Sequence, residues 1–283
     1  MPVGSCDYLN DQGEQVAYFV NDQGFKDLGS AEDYREMQQR YSEFLKPCVH
    51  EHAKIREGKK DEALCADCGE RISLNIPDDI DQDAATYCNG RISFLRIVHD
   101  DSPSNPMTEW DGQGEIFSLN SRHINGDAER VREEIENNSD AVPLSYYEHG
   151  NCIWGVAGEL NKVPGVEFQW DGVRFAGVWI PDKLALENIG NVQGEERRAK
   201  LREYAAGICE VYSQWCNGEV YGYQLETFAL ELDDDGDPIE EREEYCAKHD
   251  RIEDDSCYGF YGSEYVKEEA LAALTSALEL DAK

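Results

Sequence analysis

Apolar positions recur along this chain with two different periods, and the places where the period changes mark the elements. Near the N-terminus a weak alternation (Tyr8, Leu9, then Val16, Tyr18, Val20) flanks a polar stretch at residues 10–13, which predicts a β-hairpin. Ser30 then caps a helix, with Asp33 three residues on and Tyr34, Met37, Tyr41, Phe44 and Leu45 at helical spacing. Strands are predicted at residues 71–76, 91–98, 115–119, 142–147, 152–156, 174–180 and 220–232, separated by glycine-containing turns. A helix over 127–137 is built on Val131 and Ile135. The strongest helical pattern runs over 195–217, where Leu201, Tyr204, Ile208, Val211, Tyr212 and Trp215 form one stripe. Gly218 stands where a left-handed C-cap belongs. A last amphipathic helix covers 263–280, carrying Val266, Ala270, Leu271, Leu274 and Leu278.

Runs of strands interspersed with helices, without a regular βαβ alternation, predict an α+β fold. The expected layout is a small N-terminal module over 1–80 and a larger domain over 81–283, an antiparallel sheet flanked by three helices. The composition shift into the acidic segment at 77–83 sets the boundary between them.

Between these patterned stretches lies CVHEHAKIREGKKDEALCADCGERI, residues 48–72, which holds two half-sites with metal-ligand spacing. Cys48 and His50 form the first; Cys65 and Cys68, followed by Gly69, form the second. Three sulfurs and one imidazole are the donor set that tetrahedral zinc takes in closed structural sites, with no position left for water. His52 is an alternative ligand to His50. Gly69 suits the tight turn around a metal, where φ is positive. Lys54, Arg56, Lys59 and Lys60 lie between the half-sites, either as a solvated loop or as a small nucleic-acid contact. The remaining cysteines (Cys6, Cys88, Cys152, Cys209, Cys216, Cys246, Cys257) are expected as small buried hydrophobes in a reduced, cytosolic chain.

Charge changes the picture more than any motif. Among 283 residues there are 60 aspartates and glutamates against 26 lysines and arginines, a formal net charge of −34. Such a field repels nucleic acid and anionic lipid and attracts basic surfaces. It serves solubility in the simplest case; arrayed like phosphates, the same carboxylates would occupy a basic nucleic-acid channel. Residues 231–255 concentrate the charge, with 13 acidic against three basic side chains. Asp233, Asp234, Asp235 and Asp237 resemble half a calcium loop, but the position needing a bidentate glutamate is Arg242, so the stretch reads as an acidic turn. With Glu240 and Glu241 these aspartates form a candidate partner-binding surface, to which Trp110 and Trp170 would add aromatic anchors. No basic, apolar leader opens the sequence, and no apolar run reaches the length of a membrane helix.

Four blocks carry a resemblance. They are Asn105-Pro106 with Glu109-Trp110-Asp111-Gly112-Gln113-Gly114; Pro143-Leu144-Ser145-Tyr146-Tyr147-Glu148-His149-Gly150 with Trp170-Asp171-Gly172; Gly218-Glu219-Val220-Tyr221-Gly222-Tyr223; and Asp255-Ser256-Cys257-Tyr258-Gly259-Phe260-Tyr261-Gly262. In this order they resemble a family of uncharacterised proteins encoded by bacteriophages, prophages and related mobile elements. The chain departs from that pattern at Gly150-Asn151 and at Gly172-Val173. The resemblance implies an accessory role in a host cytoplasm and carries over no reaction. With the charge, it leads to an expected anti-defence inhibitor, acting as a nucleic-acid mimic on a basic host protein or nucleoprotein complex. The alternatives are a zinc-dependent DNA- or RNA-associated factor and a Cys/His enzyme built on Glu148, His149 and Cys152, with Asp171 or Cys257. No phosphate-binding loop, HExxH or GxSxG is present.

Overall fold

The computed structural model describes residues 49–280 apart from 57, 163–167, 234–236 and 240, together with four short strands nearer the N-terminus. Those four form two antiparallel hairpins, β1 (Tyr8–Leu9) with β2 (Gln15–Val16) and β3 (Tyr18–Asn21) with β4 (Gly24–Asp27). The first is the hairpin expected there; the helix expected after Ser30 lies outside the described residues. The next three strands, β5 (Ala53–Ile55), β6 (Glu62–Cys65) and β7 (Arg71–Ser73), make a small antiparallel sheet.

Two four-stranded antiparallel sheets follow where one was expected, and the fold is α+β. The first uses β8 (Asp83–Cys88), β9 (Arg91–His99), β14 (Val220–Ala229) and β15 (Glu253–Tyr261), in the order β15-β14-β9-β8. The second uses β10 (Glu115–Ser118), β11 (Val142–His149), β12 (Asn151–Val156) and β13 (Gly172–Ile180), in the order β10-β13-β11-β12. Seven α-helices are described: α1 (Pro106–Glu109), α2 (Ala128–Asn137), α3 (Phe168–Asp171), α4 (Lys183–Ile189), α5 (Gly194–Cys216), α6 (Arg242–Lys248) and α7 (Ser263–Ala277). The whole second sheet and α5 are thus inserted between β9 and β14, which are neighbours in the first sheet. None of the described helices is long and apolar enough to cross a membrane.

The first sheet is covered on both faces, which is why β9 reads as a nearly continuous apolar run. On one side Leu95, Ile97, Tyr223 and Leu225 pack against Val266, Ala270 and Leu274 of α7. Ala53, Ala63, Cys65, Ile72 and Leu74 of the small-sheet region belong to that same cluster. On the other side Ile92, Phe94 and Phe228 enclose Tyr245 of α6. β8 and β9 are joined by Asn89-Gly90 with φ of 52° and 70°, the two-residue turn whose twist matches paired strands. That Asn-Gly signal lies in the sequence, although no strand was expected at β8.

In the second sheet Leu201, Ala205, Ile208, Cys209 and Tyr212 of α5 cover Leu144, Trp154, Val156 and Trp179. α5 ends as expected: Gly218 has φ 71°, its N–H donates to the Trp215 carbonyl at 3.1 Å, and the Glu219 N–H reaches the Gln214 carbonyl at 2.8 Å. This double bond pattern satisfies the last carbonyls of the helix. Val211 and Trp215 are only half-buried, whereas Ala205 and Cys209 complete the stripe. In α2, Val131 is buried but Ile135 is exposed; the inward position belongs to Glu134, held by Arg130 at 2.7 Å and by the Asn138 amide at 2.7 Å.

The C-terminal stretch differs most from expectation. β14 stops at Ala229, and the acidic segment beyond it folds back through α6 into β15, neither of which the charge-dominated pattern predicted. Apolar period is hard to see where every second residue is acidic. The anchors are single large side chains, Tyr245 in α6 and Tyr261 at the end of β15, both buried.

Candidate metal centre

Three of the expected ligands converge. His50, Cys65 and Cys68 each present a donor atom, and these donors lie within 4.8 Å of one another. His50 Nδ1 is 3.6 Å from Cys68 Sγ. Two ligands of a tetrahedral zinc, one sulfur at about 2.3 Å and one nitrogen at about 2.0 Å, would stand about 3.5 Å apart. The geometry therefore fits a metal of that size held through Nδ1. Cys48, two residues before His50, lies outside the described residues.

The local backbone explains the convergence. β6 ends at Cys65, and the chain turns through Ala66-Asp67-Cys68-Gly69 before entering β7. Gly69, with φ 76°, returns its N–H to the Cys65 carbonyl at 3.0 Å, and the Cys65 N–H donates to the Glu70 carbonyl at 3.0 Å. The Glu70 N–H donates to Cys68 Sγ at 3.4 Å. His50 itself adopts φ 54°, the left-handed region. Its ring stacks on Tyr87 of β8, centroids 5.8 Å apart and 18° from parallel. Its carbonyl accepts from the Asn89 N–H at 2.8 Å. The Asn89 side chain also accepts from the Ala53 N–H at 2.7 Å and donates to the Leu278 carbonyl at 2.9 Å. One turn residue thus ties the ligand loop, the β8–β9 hairpin and the end of α7 together.

The electrostatics favour bound metal. Burial alone would raise the Cys65 thiol. The Cys68 and Asp67 backbone N–H groups, with the His50 and Cys68 side chains, outweigh it and bring Cys65 down to about 7. Deprotonated sulfur is the form that ligates. His50 and Cys65 are buried while Cys68 is exposed, so the site sits at the surface with one sulfur outward. On the far side of the His50 ring, Glu70 Oε2 stands 4.0 Å from Nε2. His52 is not part of this group: it is exposed and pairs through Nδ1 with Asp67 at 3.0 Å, a bond that raises its pKa. Between the two histidines, backbone conformation decides, because only His50 is folded back over the knuckle.

The other expected site residues are dispersed. Trp110 is partly exposed and lies edge-on to Tyr261, centroids 4.7 Å apart. The loop after it is fixed by Asp182, which accepts from the Gly112 and Gly114 N–H groups at 2.8 and 3.3 Å. Tyr204 donates to the Gly112 carbonyl and Trp179 to the Gln113 carbonyl. A Cβ on Gly114 would sit 2.3 Å from the Ile180 carbonyl oxygen, so this glycine is required by close packing. Trp170 is 75% exposed on α3. Asp233, Asp237 and Glu241 are exposed, and the Asp237 N–H closes the acidic turn onto Asp233 Oδ1 at 2.9 Å; Asp234, Asp235 and Glu240 lie outside the described residues.

His149 and Asp171 do meet, Nδ1 to Oδ2 at 3.0 Å, on an exposed turn. Cys152 does not join them as a nucleophile. Its thiol is in contact with Cys216, and that contact and burial both raise its pKa strongly, which keeps it protonated. Cys257 lies on β15 in the other sheet. Of the cysteines expected to be buried hydrophobes, Cys88 and Cys209 are buried and burial pushes each thiol up to about 12. Cys216, Cys246 and Cys257 are instead exposed, Cys152 is half-buried and Cys6 lies outside the described residues. The exposed cysteines sit at a helix end, on α6 beside the Glu226 carboxylate and on an edge strand, positions whose exposure residue type does not encode. Comparison with protein-family models, with curated proteins and with solved structures gives no match to this chain.

Proposed function

We propose that the chain is a zinc-stapled acidic interaction protein that docks on a basic protein or nucleoprotein surface, in the accessory, anti-defence role that the phage and mobile-element resemblance implies for a host cytoplasm. Zinc suits the donor chemistry, two thiolates and an imidazole, with Cys48 as the fourth ligand that would close the shell. In that arrangement the metal fixes structure and leaves no coordination position for a reaction.

One observation carries the docking reading. The two arginines of the acidic C-terminal stretch, Arg242 largely covered and Arg251 at the surface, share one carboxylate. Arg242 and Arg251 both bind the buried Glu226, each at 2.5 Å through its Nη2. Glu231, Asp233, Asp237, Glu241, Glu243, Asp250, Glu253 and Asp254 around them are exposed. Both arginines are thus neutralised by Glu226, Lys248 is the third cation of the stretch, and the exposed acids outnumber it, so the field that reaches solvent is negative. Association with a basic groove would then be steered electrostatically and weakened by salt.

The test is affinity capture from a bacterial lysate with the full chain at low and high salt, alongside a variant carrying Asp233→Lys, Asp237→Lys and Glu241→Lys. Capture of a basic protein that is lost in salt and in the variant supports docking. A complex indifferent to both, or a low-salt gel shift with DNA or RNA that depends on Lys54, Lys59 and Lys60, would overturn it in favour of the nucleic-acid reading.

A further inference from the structure

Cys152, the second residue of β12, and Cys216, the last residue of α5, are brought together by the fold. The neighbouring Asn217 locks the two segments in register. Its Oδ1 accepts from the Cys152 N–H at 2.8 Å and its Nδ2 donates to the Cys152 carbonyl at 3.1 Å. Two residues along the strand, the Trp154 N–H donates to Ser213 Oγ at 2.9 Å, one turn earlier on the helix. Between these two fixed points the thiols lie in side-chain contact, with the Tyr146 and Tyr212 hydroxyls beside them. Cys216 is an exposed residue at the helix end and Cys152 is half-buried, and a paired second cysteine is what a resolving sulfur requires.

We propose that Cys152 and Cys216 form a reversible disulfide on exposure to a peroxide, bonding the edge strand β12 to the end of α5. The hydrogen bond with Cys152, opposed by burial and assisted by Tyr212, lowers the Cys216 pKa, so Cys216 supplies the thiolate. It attacks one peroxide oxygen; the O–O bond breaks, Cys216 becomes a sulfenic acid, and the departing hydroxide takes up a proton to leave as water. The Cys152 sulfur then attacks the sulfenic sulfur. An S–S bond forms, the S–O bond breaks, and the Cys152 proton leaves with the hydroxide as a second water. Two thiols and one peroxide yield one disulfide and two waters, two electrons passing from sulfur to oxygen; an external dithiol reverses the exchange. The other described thiols are placed differently: Cys65 and Cys68 sit in the metal group, Cys88 and Cys209 are buried, Cys246 faces Glu226, and Cys257 contacts its own strand.

The experiment treats the full, zinc-loaded chain with graded hydrogen peroxide, blocks residual thiols by alkylation, and maps peptides without reduction. The expected first product is a linked Cys152–Cys216 peptide that dithiothreitol removes, with a thermal midpoint raised by about 5–10 °C over the reduced chain. Cys216→Ser, a near-isosteric change at the exposed end of α5, should abolish both the linked peptide and the shift; Cys152→Ser should abolish the peptide as well. Recovery of Cys216 as a free or over-oxidised thiol in folded protein, or a first linkage between other cysteines, would overturn the assignment.

Discussion

Two side chains show how single residues set local structure here. Cys68 contributes the outward sulfur of the metal group, and its exposure makes a serine there tolerable in every respect except ligation. If the proposed zinc is bound, Cys68→Ser is therefore expected to lower the metal content to near none, measured by elemental analysis. It should also expose the amides of β5–β7 to hydrogen exchange. Zinc binding in isolated peptides is worth roughly 10 kcal/mol, so the small sheet should open well before the two large ones. Unchanged metal content and protection would refute the site. Asp182 caps α4 through the Ala185 N–H at 2.7 Å while holding the Gly112–Gly114 loop. Burial pushes its carboxyl upward, but the backbone donors of Ala185, Gly112, Gly114 and Leu184 outweigh it and leave the pKa below the ordinary aspartate value. A depressed folded pKa means stability that is present above the unfolded value near pH 4 and lost as pH falls through the folded one. Asp182→Ala should cost about 1–2 kcal/mol in urea melts at pH 7 and much less near pH 3. An equal cost at both would show that the charge plays no part.

Among the elements, α6 is the least self-sufficient. Seven residues are too few for an isolated helix, and its first turn has no side-chain cap. It is held by Tyr245 packed between Phe94 and Phe228, centroids 5.4 Å from each, and by Arg242 reaching Glu226. Glu226 in turn depends on its arginines, because a buried carboxylate without partners is costly. Glu226→Ala is expected to destabilise by roughly 1–3 kcal/mol, because Arg242 and Arg251 lose their shared carboxylate and keep Asp83 at 3.9 Å and Asp254 at 2.7 Å. Hydrogen exchange should then show α6 and β15 opening first; a loss spread evenly over both sheets would contradict this. The sequence disclosed elements in proportion to their apolar period. β9, α5 and α7 repeat cleanly because each buries a continuous stripe. α6 and β15 were not legible, since their anchors are isolated aromatics in an acidic background. β8 buries only Thr86 and Cys88 outright, so its apolar period is faint and Asn89-Gly90 alone marks the hairpin.

For the molecule as a whole, a charge of −34 must repel itself in the folded state. Moderate sodium chloride should screen that repulsion and raise the thermal midpoint, by on the order of 5 °C between very low salt and half-molar. A midpoint that falls with salt would mean that the ion pairs, such as the bidentate Arg197–Asp140 at 2.7 Å, outweigh the global field. The same screening applies to any docked basic partner, so stability and binding should respond to salt in opposite directions.

The chain's own order of residues determined the α+β class, the positions of the long strands and helices, the cap at Gly218 and the spacing that lets His50, Cys65 and Cys68 converge. Those are local matters of period, turn chemistry and spacing. Only the tertiary structure decided that one sheet became two, because β14 must return past an inserted sheet to lie beside β9. It likewise chose His50 over His52, brought Arg242 and Arg251 onto Glu226, and set Cys152 against Cys216. Each depends on contacts between residues distant in sequence, whose partners no local pattern names.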